Sequence, residues 1–211
     1  MEQFFSYIAV TINQKRHIYY MKRILSAVIS IVICSAAYGQ GEFTDKRDGN
    51  VYRTVTVNGV TWMAENLRFK AKHGALYYDN DPNNARDYGM LYDWKSATTA
   101  CPSGWHLPSG TEFRNLSDHF QHHDSWRKSS PGSLSIEIQL GGMQDHEGTF
   151  SEIDESGYYW TSTEYDRHSA EYFSYLIIDN MAVTDISRRA DIEDIEGTSK
   201  SDKYSVRCIK N

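Results

Sequence analysis

The sequence predicts an α+β domain dominated by a mainly antiparallel, twisted sheet, with one or two short helices and long loops. Three observations carry that expectation. β-branched and aromatic runs with turn residues between them recur from Val51 to the C-terminus. Helical punctuation is confined to the stretch between about residue 94 and His123. No internal period of roughly 20–50 residues repeats, which excludes a solenoid.

The stretch that organises the rest is Cys101-Pro102-Ser103-Gly104-Trp105-His106-Leu107-Pro108-Ser109. Two prolines restrict φ and a glycine relaxes it, so the backbone is tightly specified and not helical before Ser109. Ser109 with Glu112 three residues later forms a capping box, in which hydroxyl and carboxylate each satisfy an otherwise unpaired N–H. Trp105 and Leu107 alternate with polar neighbours and point into one core.

In chain order, Met21-Lys22-Arg23, the apolar run Ile24–Ile33 and the small residues around Ala37-Tyr38-Gly39 read as a secretory signal peptide over 21–39. Residues 1–20 precede that complete signal, so Met21 is the expected start and 1–20 a misassigned extension. Processing is expected before Gln40, leaving a single domain over 40–211 that is secreted or held at the cell surface. The apolar run is too short to span a bilayer, and no transmembrane segment is expected after cleavage. The lipoprotein alternative at Cys34 is disfavoured by the bulky Ile33 before it.

Removing 1–39 takes away Lys15, Arg16, Lys22 and Arg23 but only Glu2. The net charge therefore moves from −6 to −9, with 18 basic and 27 acidic side chains remaining. A surface of that sign repels phosphate backbones, so no nucleic-acid partner is expected. Two cysteines remain, Cys101 and Cys208, and an even pair in an oxidising compartment usually bonds. The alternative is two buried free thiols.

Gly41–Asn50 reads as a polar lead-in. Val51–Val57 is an alternating strand, Asn58-Gly59 a hairpin turn, and Val60–Met63 the returning strand. Ala64–Leu67 then turns, with Trp62 and Leu67 inward. Residues 77–84 have turn chemistry throughout, and Tyr88–Trp94 is a short strand entering a helix over Lys95–Ala100. Beyond the capped helix, periodicity fades between Asp124 and Gly148, apart from a strand at Leu134–Ile138 and bends at Gly141-Gly142 and Gly148. Strands are expected at Tyr158–Thr163, Tyr172–Ile178, Ala182–Thr184 and Tyr204–Ile209. The last of these, tied back to the middle of the chain, brings the N- and C-terminal parts together in the sheet.

Six ordered motifs carry a family resemblance: Asp48-Gly49-Asn50-Val51-Tyr52, Trp62-Met63-Ala64-Glu65-Asn66-Leu67, Tyr88-Gly89-Met90-Leu91-Tyr92-Asp93-Trp94, the Cys101–Ser109 stretch, Trp160-Thr161-Ser162-Thr163-Glu164 and Ser205-Val206-Arg207-Cys208. Together they resemble the Fibrobacter succinogenes major paralogous domain over roughly 45–211. The resemblance implies secreted or surface proteins of Bacteroidota and relatives without an established activity. It also implies a C-type-lectin-like fold, which is shared with formylglycine-generating enzymes. Many members carry a second cysteine pair at the positions held here by Tyr77 and Ala85, and the segment 122–140 is shorter than usual.

Formylglycine-type oxidation needs a reactive cysteine pair, and closure of Cys101 with Cys208 would leave no thiolate. Neither a zinc-protease helix, a nucleophile elbow nor a P-loop motif is present, so no enzyme is expected. His119, His122 and His123 have helical metal spacing but no obvious third ligand; histidines in a last helical turn are equally explained by its dipole. Asp79, Asp81, Asn83 and Asn84 offer a weak calcium site, against which stands ordinary turn chemistry. The acidic run Asp191–Glu196 reads as a solvated excursion. Trp62, Trp94, Trp105 and Trp160 are assigned to the core. Trp126, Tyr158, Tyr159, Tyr165 and Tyr172 are the candidate ligand-binding aromatics, because such rings stack on sugars and anchor protein partners. One of the adjacent Tyr158 and Tyr159 should face out. The expected function is a non-enzymatic binding module for an unknown glycan or surface protein. The alternatives are a structural or display scaffold and, more distantly, a formylglycine-generating-type oxidase.

Overall fold

The computed structural model describes residues 41–121, 136, 139–178, 181–186 and 198–211, within one compact unit, Gln40–Asn211. Its first sheet grows from the expected hairpin. Asn58 and Gly59 have φ of +50° and +81°, the doubly left-handed turn whose twist matches the flanking strands. It joins β2 (Val51–Val57) to β3 (Val60–Met63), with Val57 opposite Val60 and Thr54 opposite Met63. The expected polar lead-in is instead a strand: β1 (Gly41–Thr44) lies antiparallel along the free edge of β2. It carries one apolar anchor, Phe43, whose ring meets Trp105 at 4.9 Å between centroids. A single anchor leaves no alternation to read. On the other side of β3 lies β14 (Ile209–Lys210), and beyond it β6 (Trp105–His106), giving the order β1-β2-β3-β14-β6.

The second sheet runs β11-β10-β9-β13-β5-β4. Here β4 is Ala75–Leu76, β5 Leu91–Tyr92, β9 Ser156–Glu164, β10 Ser169–Ile178, β11 Met181–Ile186 and β13 Tyr204–Ser205. Two more strands, β7 (Gly141–Gln144) and β8 (Phe150–Ile153), form a hairpin whose β7 lies parallel to β9; β12 (Thr198–Ser199) pairs with β10. The β13–β9 contact is also parallel, and the remaining ladders are antiparallel. Gly141-Gly142, expected as a bend, is therefore strand. Of the expected strand at Leu134–Ile138, only the buried Ile136 is among the described residues.

Among the described residues three short α-helices accompany the sheets: α1 (Asn84–Tyr88), α2 (Trp94–Ala100) and α3 (Gly110–Gln121). Helix α2 is capped by the Asp93 carboxylate, which accepts from Ser96 N at 2.8 Å. At α3 the capping box closes as expected: Ser109 N donates to Glu112 Oε2 at 2.7 Å and Glu112 N donates to Ser109 Oγ at 3.3 Å. No helix among the described residues is long and apolar enough to cross a membrane.

Apolar side chains form two clusters. Trp160, Tyr92, Tyr204, Leu67, Met90, Val206 and Cys208 belong to one. Trp62, Phe113, Tyr159, Phe173 and Ile209 belong to the other, where Phe113 stacks on Phe173 at 4.8 Å. Trp62, Trp105 and Trp160 are buried as expected. Trp94 is only half-buried; its Nε1 donates to Thr161 O at 2.8 Å and Lys200 Nζ lies 4.6 Å from its ring.

The expected terminal strand is two strands in different sheets. Val206-Arg207-Cys208 crosses between β13 and β14 with all three residues buried. Cys208 bonds to Cys101 across 107 residues, with a Cα–Cα distance of 5.8 Å. N- and C-terminal parts meet beside β3, where Met63 N donates to Cys208 O at 3.0 Å.

Candidate functional site

The aromatic set does not assemble into one surface. Alternation along β9 sends Tyr158 and Trp160 toward the first cluster and Tyr159 toward the second. Both faces of β9 are covered, so neither Tyr158 nor Tyr159 projects freely. Tyr159 is 1% exposed and its hydroxyl donates to Gln139 O at 2.7 Å. Tyr158 and Tyr172 are half-buried around Tyr204, at centroid distances of 5.3 and 5.1 Å. Burial and a 2.6 Å hydrogen bond to Glu152 push the Tyr158 hydroxyl well above its ordinary pKa. Tyr165 alone of the four described is open, at 56% exposure. Trp126 lies outside the described residues.

The weak calcium set is occupied by its own turn. Asp81 Oδ1 accepts from Asn83 N at 2.9 Å and from Asn83 Nδ2 at 2.8 Å, and Asn84 Nδ2 donates to Tyr78 O at 3.0 Å. Asp79 sits at φ +52° inside the 3-10 turn Tyr78–Asn80. Among the described residues, no three His, Cys, Asp or Glu side chains are grouped to hold a metal ion. His119 lies on α3, while His122, His123 and the Asp191–Glu196 run lie outside the described residues.

The candidate site is elsewhere. A cleft of about 940 Å³ is lined by residues that the sequence scatters over four segments, and its volume falls in the range of small-molecule sites. Strand β2 and the turn after β3 contribute Arg53, Glu65 and Arg68; the loop before α1 and α1 itself contribute Tyr77, Arg86 and Asp87. Gln139 ties these parts together. Its Nε2 donates to Asp87 O at 2.7 Å, and its Oε1 accepts from Asn66 N. Buried Asn66 adds a second link, donating from Nδ2 to Tyr88 O at 2.9 Å, and its Oδ1 accepts from Arg207 Nη2 at 2.6 Å.

Charges on the β2 side are fixed in advance. Glu65 accepts from Arg53 Nε at 2.8 Å and Arg68 Nη1 at 2.6 Å, and Arg68 Nη2 donates to Val51 O at 2.7 Å. Burial works to raise the Glu65 pKa, but the hydrogen bonds from Arg68 and Arg53 outweigh it and hold the carboxyl below its usual range. Across the Tyr77 ring, Lys70 Nζ lies 5.2 Å from the centroid, within cation–π reach. Neither Lys70 nor Arg86 is in an ion pair among the described residues. The cleft thus offers one aromatic face, preset ionic groups and a polar rim, which suits a hydrophilic ligand.

A model of the Fibrobacter succinogenes major domain matches residues 55–210. Comparison with curated proteins and with solved structures returns no match.

Proposed function

The chain belongs to the Fibrobacter succinogenes major domain family, and from that premise we propose that it is an exported, non-enzymatic binding module whose two sheets are arranged in C-type-lectin-like fashion. Its ligand is a glycan or a surface protein, met outside the cytoplasm. The observation that carries this reading is the cleft. It is roomy, polar and held open by side chains already hydrogen-bonded in place, so binding costs little reorganisation. The basic, apolar and small-residue segments of 21–39 support export. An oxidase would require a thiolate, whereas Cys101 and Cys208 are bonded to each other.

A scaffold without a small ligand is the second reading, favoured by the use of Tyr158, Tyr159 and Tyr172 in packing. The test is a glycan and surface-protein array probed with the purified chain and with Tyr77→Ala and Tyr165→Ala variants. Binding lost with Tyr77→Ala supports the cleft. Absence of any binder, or binding indifferent to both substitutions, leaves the scaffold reading ahead. A free-thiol titre above zero would reopen the enzyme.

A further inference from the structure

Resting on the binding-module reading, we propose that the cleft selects an acidic saccharide, a uronate-type sugar stacked on Tyr77 with its carboxylate paired to Arg86 and Lys70. Arg53 and Arg68 both donate to Glu65, so that carboxylate is held between two guanidiniums and presents no repulsive charge to an incoming anion. Arg86 lines the cleft from α1 and Lys70 lies against the Tyr77 ring, and neither is in an ion pair among the described residues. Asp87 follows Arg86 directly, and neighbours in a helix do not face one another, so it does not neutralise Arg86.

Arg53, Arg68 and Arg86 line the cleft against Glu65 and Asp87, and Lys70 lies beside it over the Tyr77 ring, which gives the site a positive balance on a chain whose formal charge is −6. Such a local reversal of sign raises the concentration of anionic ligands at the site. The apolar lining is small, limited to Tyr77, Pro82 and Ala85. That matches one face of a single sugar ring, which packs on an aromatic while its hydroxyls meet polar groups. An acidic peptide would need deeper apolar anchors to bind with useful affinity. Asp87 and Asn50 on the same lining offer acceptors and donors to ring hydroxyls.

The experiment titrates the full chain calorimetrically with uronate oligosaccharides, with neutral oligosaccharides of the same linkage and with polyglutamate. It is repeated for Arg86→Ala, Lys70→Ala and Tyr77→Ala. Arg86 and Lys70 are exposed, so their variants should keep the wild-type melting temperature, checked by circular dichroism. The expected result is uronate binding weakened about tenfold or more by Arg86→Ala, weakened by added salt and lost with Tyr77→Ala. Neutral sugars should bind at least about tenfold more weakly and be indifferent to Arg86→Ala.

Equal binding of neutral and acidic sugars, both lost with Tyr77→Ala, would overturn the charge selection and leave the binding module standing. Polyglutamate binding alone would overturn the saccharide. If no saccharide binds, the inference fails, and the surface-protein arm of the array then decides the module separately. Uronate binding unchanged in all three variants would place the site outside this cleft and overturn the inference.

Discussion

Replacing Cys101 and Cys208 together by alanine should lower the unfolding free energy by about 5–6 kcal/mol. The bond joins residues 107 apart, and the chain-entropy relation for a loop of that length returns ~4.8 kcal/mol at room temperature. Cys208 is fully buried, so losing its sulfur from a packed core adds ~1 kcal/mol. The folded state should keep its form, because Met63 N still donates to Cys208 O and Leu67 N to Val206 O, at 3.0 and 2.8 Å. The loss therefore acts mainly on the unfolded chain, which becomes free to expand. Urea titration followed by tryptophan fluorescence would compare the oxidised chain, the chemically reduced chain and the double variant. With a slope of roughly 2 kcal/mol per molar urea, the reduced midpoint should fall by about 2 M and the variant slightly further, with the slope itself rising. Midpoints within ~0.5 M of the oxidised chain in both cases would refute the claim that this cross-link dominates the unfolded state's entropy.

Acid stability should depend on Glu65, Asp45 and Glu112, in each of which burial raises the pKa but hydrogen bonds from Arg68 and Arg53, from Arg47 and from Ser109 outweigh it. Their folded-state values lie below the unfolded ones, so this stabilisation is present above pH ~4–5 and is lost as pH falls through the depressed values. Melting temperature should drop on acidification below about pH 5, less steeply in Glu65→Gln; identical slopes would remove Glu65 from the account. At the alkaline end, burial pushes Tyr52 up to about 12, and a hydrogen bond to Asp154 does the same for Tyr88. Phenolate absorbance should show both ionising late, and Tyr88→Phe should remove one late-titrating group; an unchanged titration curve would contradict this. Gly142 has φ +60°, and an added Cβ would lie 2.3 Å from Ser151 O. Gly142→Ala should therefore cost roughly 2–3 kcal/mol, read from the urea midpoint, whereas Tyr165→Ala at an open position should stay within ~0.5 kcal/mol.

What the sequence revealed was local chemistry that admits one outcome. Asn58-Gly59, the Ser109/Glu112 box and the buried Trp62, Trp105 and Trp160 required no knowledge of distant partners. The strands β1 and β7 were illegible for two different reasons. Phe43 is a lone anchor on β1, while β7 opens on two glycines, so its position follows from backbone approach and not from side-chain alternation. Tyr158 and Tyr159 show the limit of period two. It separates two faces but is silent on whether either is wet, and here neither is. The cleft was hidden because Arg53, Glu65, Tyr77, Arg86 and Gln139 come from segments without a shared motif; only folding makes them neighbours. Lys70 and Arg86, in no ion pair among the described residues, stand out as basic side chains on an acidic chain only once the fold brings them to Tyr77 and the cleft.

The placement of residues 204–210 inside both sheets bears on when the chain can fold. β13 sits between β9 and β5, and β14 between β3 and β6, so neither layer can close until those residues are in place. The polypeptide thus remains pliable until residues 204–210 insert, and both sheets set together when they do. Deleting residues 204–210 should yield protein that never acquires native tryptophan burial, rather than one merely shortened at an edge.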